Sequence, residues 1–190
     1  MISKRRTQLV PLLATLALML VPAVAHAAPE WEKNNVLLGA THVAVSTKGV
    51  LAVSIQSVGV VKCKVTDTEE IWNPGSGKPG EDSFTAFGPA PCKGTTALCT
   101  SHTYTLVPEG LPWASVLVAG TPVRDEFSPK FGLECNSVVV DKLHGTLTPE
   151  VALNLLNFSL TSGTLTDSGG NSVDVIGKDK ITGSGKVKAS

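Results

Sequence analysis

The sequence predicts an all-β protein, a single antiparallel β-sandwich or barrel-like domain stapled by disulfides, following a cleaved N-terminal signal peptide. Three observations carry this expectation. Apolar residues alternate with period two along short segments, turn formers separate those segments, and four cysteines follow an export signal.

The signal comes first in the chain. Lys4, Arg5 and Arg6 form a basic start, and the run from Leu9 to Ala25 carries no charge and is mostly aliphatic. Ala25-His26-Ala27 then supplies the small-x-small pattern of a signal-peptidase site. The run is shorter than the ~20 apolar residues that span a bilayer, and it contains Pro11 and Pro22. A cut after Ala27 divides the chain into residues 1–27, the signal peptide, and residues 28–190, one domain. Arg5-Arg6 lacks the remainder of a twin-arginine signal, so the general secretory route is expected. With no cysteine at the cut, no lipid anchor is expected, and the mature chain is read as having no stable membrane anchor.

Loss of the three basic residues leaves 13 basic against 16 acidic side chains, a net charge of −3. No basic stripe remains, which argues against nucleic acid as a partner. The 163 residues left are enough for one domain with a proper core.

The strand pattern is clearest in residues 49–58, where Leu51, Val53 and Ile55 alternate with Ala52, Ser54 and Gln56. It repeats in 60–66 (Val61, Cys63, Val65) and in 130–138 (Phe131, Leu133, Cys135). Such alternation puts one face in the core and the other in water. Residues 102–107, 114–119, 157–166 and 172–177 follow it less cleanly. Asn73-Pro74-Gly75, Lys78-Pro79-Gly80, Gly88-Pro89 and Ser168-Gly169-Gly170-Asn171 mark turns between them. Thr148-Pro149-Glu150 has the capping residue and first-turn proline of a short helix reaching about Asn154.

In an oxidising compartment Cys63, Cys92, Cys99 and Cys135 are expected to form two disulfides. Cys63 and Cys135 share the apolar phase of their strands, and Cys92 and Cys99 flank a turn-rich segment. The expected pairing is therefore Cys63–Cys135 with Cys92–Cys99; the alternative is Cys63–Cys92 with Cys99–Cys135. The six-residue gap between Cys92 and Cys99 fits neither a zinc knuckle nor a C-x-x-C redox centre.

Other chemical signals are sparse. Gly77-Lys78 and Gly185-Lys186 end no phosphate loop, because Trp72 and Lys180 occupy the first glycine position and Pro79 and Val187 the position after lysine. His42, His102 and His144 stand singly, without metal-binding spacing, and no G-x-S-x-G elbow occurs. Asp125 and Glu126 follow Arg124, but neighbours on a strand face opposite sides, so a strand-end salt bridge is expected rather than an acid–base pair. Asp167 to Asp174 offers oxygen ligands on a Gly-rich turn without the spacing of a calcium loop, and a plain turn is expected. Trp31, Trp72 and Trp113 are candidates for a sugar-stacking platform, or else plugs at the ends of the core. No cofactor, no metal site and no catalytic residue is expected.

The order of Val60-Val61-Lys62-Cys63-Lys64-Val65, Asn73-Pro74, a Phe-rich stretch from Phe84 to Cys92, Glu109-Gly110-Leu111-Pro112-Trp113 and Arg124-Asp125-Glu126 resembles that of uncharacterised secreted actinobacterial proteins. The likeness covers roughly residues 31–186. It implies export from a bacterial cell, β structure and a cysteine framework, and brings no activity with it. The expected function is an exported, non-catalytic binding or structural domain of the envelope or extracellular space, with cell-wall or extracellular glycan as candidate partner. The alternative is a secreted hydrolase assembled from His42, His102 or His144 with Asp125 or Glu126. N-terminal sequencing of the secreted product should give Ala28 as the first residue; exported protein that retains Met1 would overturn the signal assignment.

Overall fold

The computed structural model describes residues 27–75, 77–94, 99–151, 157–182 and 185–190, so the signal segment lies almost wholly outside the described residues. The described chain is all strand and turn. The strands are β1 (Trp31–Lys33), β2 (Val36–Leu37), β3 (Val43–Ile55), β4 (Gly59–Trp72), β5 (Glu81–Phe87), β6 (Ala90–Gly94), β7 (Thr103–Pro108) and β8 (Trp113–Val118). They continue with β9 (Arg124–Phe127), β10 (Lys130–Cys135), β11 (Val138–His144), β12 (Glu150–Val151), β13 (Asn157–Thr166), β14 (Ser172–Thr182) and β15 (Val187–Ala189). Among the described residues no helix is long and apolar enough to cross a membrane.

The central hairpin is β3–β4, in unbroken antiparallel register from Val43↔Ile71 to Ile55↔Gly59. Its turn closes through Val58 N–H donating to Ile55 O at 3.2 Å, and Gly59 takes φ 80°, which a side chain would oppose. From this hairpin the large sheet runs β11-β10-β7-β6-β4-β3-β14-β13-β12-β9-β8-β5. Two further pairings, β4–β5 and β11–β13, turn it back on itself. One circuit is β4-β3-β14-β13-β12-β9-β8-β5, and the other is β4-β6-β7-β10-β11-β13-β14-β3. They share β3, β4, β13 and β14. A second sheet, β15-β1-β2, joins the two ends of the described chain, with Trp31 opposite Ala189.

Closure gives the strands an inside, and the alternation fills it. One apolar cluster contains Val61, Cys63, Val65, Phe84, Trp113, Phe131 and Val175; the other contains Trp31, Val45, Ile71, Leu117, Val123, Phe158 and Ile181. Trp31 is anchored by Asn73, whose Oδ1 accepts the Trp31 backbone N–H at 2.7 Å and whose Nδ2 donates to Trp31 O at 2.9 Å. Trp113 packs edge-on against Phe131 with centroids 5.1 Å apart, an arrangement that suits the aromatic quadrupoles.

Two expectations are corrected here. The segment at Thr148-Pro149-Glu150 does not open a helix. Glu150 and Val151 form β12 instead, opposite Ser159 and Phe158, because an unfilled edge of β13 offers their backbone partners; the rest of the expected helix, to about Asn154, lies outside the described residues. The disulfides join Cys63 to Cys92 and Cys99 to Cys135, not Cys63 to Cys135 and Cys92 to Cys99. The reason is strand adjacency. Cys63, Cys92, Tyr104 and Cys135 form one row across β4, β6, β7 and β10. Neighbouring strands lie ~4.8 Å apart, so three strand steps put Cys135 about 14 Å from Cys63, twice the ~7 Å limit for a bridge.

Each disulfide closes a loop of similar length, with sequence separations of 29 and 36 residues. Replacing either pair by alanine should lower unfolding stability by about 4 kcal/mol, read from denaturant midpoints. A non-reducing peptide map should link Cys63 to Cys92, and a Cys92–Cys99 peptide would contradict this register.

Candidate functional site

The inward phase of the long strands carries acids as well as apolar residues. On β4, Val61, Cys63 and Val65 are followed in the same phase by Asp67 and Glu69 and then Ile71, all buried. On β5 Asp82 faces inward next to Phe84, on β8 Ser115 lies between Trp113 and Leu117, and on β9 Asp125 lies between Val123 and Phe127. On β14 Asp179 lies between Val175 and Ile181, and on β3 Thr47 follows Val45. β3, β4, β8 and β14 thus pass from the first apolar cluster, through polar residues, to the second. The result is a polar layer between two apolar ones.

Local features make room for this layer. A bulge where β5 meets β4 at Thr68 and Glu69 re-phases β5, so that Asp82, Phe84 and Phe87 all turn toward the interior. Gly49 stands opposite Asp179 in the β3–β14 ladder, and a Cβ there would overlap Asp179 Oδ1 and the Lys178 carbonyl.

Exposure of the central acids is nil: Glu69 0%, Asp125 0% and Asp82 1%. The Thr47 hydroxyl donates to Asp67 Oδ1, and the Ser115 hydroxyl donates to Asp125 Oδ1. Both oxygens of Glu69 and Asp179 Oδ1 have no hydrogen-bond partner, and Asp82 and Asp125 Oδ2 have none beyond each other and Ser115. The described ion pairs are His42–Glu70, Lys142–Glu109 and Lys188–Glu32, so no Lys, Arg or His neutralises the layer among the described residues. Carboxylate oxygens of Glu69, Asp82 and Asp125 come within 4.8 Å of one another, a spacing one hard cation could bridge. Asp67, Glu69 and Asp179 also border a cavity of about 60 Å³ whose other walls include Phe84, Phe127, Phe158 and Leu160.

Burial dominates the protonation of these groups. It pushes Glu69 well up, and the fields of Asp67, Asp125 and Asp179 push further. Asp82 is raised well up by burial and then by Asp125 and Glu69. Burial raises Asp125 to about 7 against the opposing pull of its hydrogen bonds, and it raises Asp179 to about 7 with help from Asp67. Asp67 is raised by burial and partly restored by the Thr47 bond.

The residues singled out in the sequence lie elsewhere, with one exception. Asp125 belongs to the layer, and Glu126 points outward, as alternation requires. No strand-end salt bridge forms at Arg124-Asp125-Glu126 among the described residues; Asp125 is drawn inside and bonded to Ser115. His42 is on the surface, bonded to Glu70 at 3.0 Å, and His102 and His144 are exposed. None of the three is hydrogen-bonded or ion-paired to Asp125 or Glu126, so the pairing expected of a hydrolase does not form there; His42 instead bonds Glu70 and stacks on Trp72. Asp167 Oδ1 accepts the amides of Gly169 at 2.9 Å and Asn171 at 2.7 Å, which closes a turn with the carboxylate itself.

The three tryptophans do not form a platform. Trp31 and Trp113 are buried in different clusters, and Trp113 Nε1 donates to Glu109 O at 2.9 Å. Only Trp72, at the end of β4, is partly exposed, stacked on His42 with centroids 4.0 Å apart. Trp72 borders a groove of about 480 Å³ over β5, β8 and β9, together with Glu81, Glu126 and Ser128 and with Asp82 and Ser115 of the acid layer. Comparison with known protein families, with curated proteins and with solved structures gives no match.

The sequence pattern of residues 60–66 stops short of Asp67 and Glu69, which is why it does not anticipate the acid layer. The signal was available: Val61 to Ile71 keeps one phase without interruption, which sends both acids inside. Stability should therefore depend on pH in an unusual sense. Unfolded carboxyls ionise near pH 4, whereas the folded layer holds protons to about pH 7, so the unfolded chain binds fewer protons in between and stability falls as pH rises. In chelator-treated protein the unfolding free energy should drop from pH 4.5 to pH 7.5 by about 1.4 kcal/mol per pH unit for each retained proton. Asp125→Asn should flatten that slope; a profile that rises toward pH 7.5 would contradict the burial argument.

Proposed function

We propose that the protein is an exported, non-catalytic β-domain that binds extracellular or cell-wall glycan on its outer surface. The observation that carries this reading is the groove beside Trp72, flanked by Glu81 and Glu126. Its volume, about 480 Å³, falls in the ~300–1,000 Å³ range of small-ligand sites. An indole presents a flat apolar surface to the C–H face of a sugar ring, and carboxylates accept hydrogen bonds from ring hydroxyls. His42 stacked on Trp72 fixes the indole and lowers the entropy lost on binding.

Export is supported by the two disulfides, which persist in oxidising compartments, and by the basic and apolar start of the chain. The non-catalytic reading is supported by the separation of groups. None of the acids with raised proton affinity is paired with a histidine, and of them only Asp82, itself buried, borders the groove.

Purified mature protein should be retained on insoluble cell-wall polysaccharide or on a glycan array. Trp72→Ala should weaken retention about tenfold, and the Glu81→Gln, Glu126→Gln double variant by a comparable factor. Equal retention of wild type and Trp72→Ala would remove the groove as the site. Release of reducing ends from the bound polysaccharide would overturn the non-catalytic reading.

A further inference from the structure

We propose that Glu69, Asp82 and Asp125 bind one hard divalent cation, Ca²⁺, enclosed within the first strand circuit. Three separate strands, β4, β5 and β9, deliver these carboxylates to one point, and their oxygens lie within 4.8 Å of one another. An ion held about 2.3–2.6 Å from each oxygen spans that distance.

The unpartnered oxygens point to a ligand independently of the clustering. Glu69 is fully buried with neither oxygen bonded, while Asp82 and Asp125 Oδ2 have only each other and the single Ser115 hydroxyl within reach. Buried polar groups in folded proteins are almost always satisfied, and buried charges are paired or coordinate metals. The nearby acids show the contrast: Asp67 is bonded by Thr47, and Asp125 uses only Oδ1 on Ser115. Five carboxylate oxygens thus remain to satisfy each other's missing partner, and no cationic side chain among the described residues reaches them.

The donor set selects the metal. All donors are hard oxygens, which disfavours Zn²⁺, whose closed protein sites use sulfur and nitrogen. Mg²⁺ keeps several waters, but the central acids are sealed between two apolar clusters; Ca²⁺ accepts six to eight oxygens, including bidentate carboxylates, in flexible geometry. The Ser115 hydroxyl, already at Asp125, is placed to add a neutral oxygen. The ion closes the polar layer from inside, and Asp82 and Ser115 also border the groove beside Trp72, so the ion site is read by metal content and Tm rather than by glycan retention.

The test uses the exported, oxidised protein, unfolded and refolded in EDTA and then refolded with CaCl₂, MgCl₂ or ZnCl₂ at pH 7.5. Elemental analysis after exhaustive dialysis should give one Ca²⁺ per chain. The Tm should rise by about 5–10 °C when free Ca²⁺ is ~100-fold above its Kd, and by less with Mg²⁺ or Zn²⁺. Glu69→Gln and Asp82→Asn should lose both the bound ion and the Tm rise, and each should be at least as stable as wild type in EDTA, because a neutral amide removes the cost of keeping that buried carboxyl protonated at pH 7.5. Asp174→Asn, an exposed acid on β14, should keep both. Metal-free wild type with no Tm response to any of the three salts would overturn the proposal and leave protons as the sole compensation of the layer. A Ca²⁺ response that survives in Glu69→Gln would place the ion elsewhere and overturn it equally.

Discussion

The structure depends on one unusual constraint: five carboxylates are carried into the interior by the strand period, with no positive side chain among the described residues to meet them. Asp67, Glu69, Asp82, Asp125 and Asp179 occupy inward positions on four strands. A single buried acid costs several kcal/mol unless it is protonated, paired or bound to a metal. Five together cannot all be ionised at close range. Whatever neutralises them is part of the fold, since the apolar clusters above and below meet only if the layer between them is closed.

The rest of the architecture reads as support for that layer. The two strand circuits share β3, β4, β13 and β14, so Asp67, Glu69 and Asp179 sit on the strands that are most fully paired. The Cys63–Cys92 bridge ties β4 to β6, and Cys99–Cys135 ties the segment before β7 to the end of β10. Both staples lie on the second circuit, away from the acids of β5 and β9. That half gains its rigidity from covalent closure, and the acid-bearing half gains it from register, from the Asn73 clasp on Trp31 and from aromatic packing around Trp113.

Inside and outside have separate chemistry on the same strands. On β9 Asp125 turns inward and Glu126 outward; on β5 Asp82 turns inward while Glu81 borders the groove. Substitutions of Glu69 and Asp125 therefore act on stability and those of Glu81 and Glu126 on recognition, whereas Asp82 and Ser115, buried but bordering the groove, touch both. A strand that is rigid because its inner face is locked presents its outer face with little conformational freedom to lose, which favours binding at the Trp72 groove.

Much of this was legible in the residues themselves. The period-two runs at 49–58, 60–66, 130–138 and 157–166 fall on β3, β4, β10 and β13, the third running past the end of β10 at Cys135, because alternation is a property of a single chain segment and its pleat. The inward direction of Cys63 and Cys135 and the opposite facing of Asp125 and Glu126 follow from the same rule. Which strands become neighbours does not follow from it. Pairing of β4 with β6 set the disulfides, closure through β4–β5 brought Glu69 to Asp82 and Asp125, and burial of Trp31 and Trp113 in separate clusters dispersed the aromatic platform. Strand period is local, set by backbone geometry and side-chain polarity one residue at a time. Adjacency is global, set by hydrogen-bonded ladders between segments tens of residues apart, and only the closed sheet decides it.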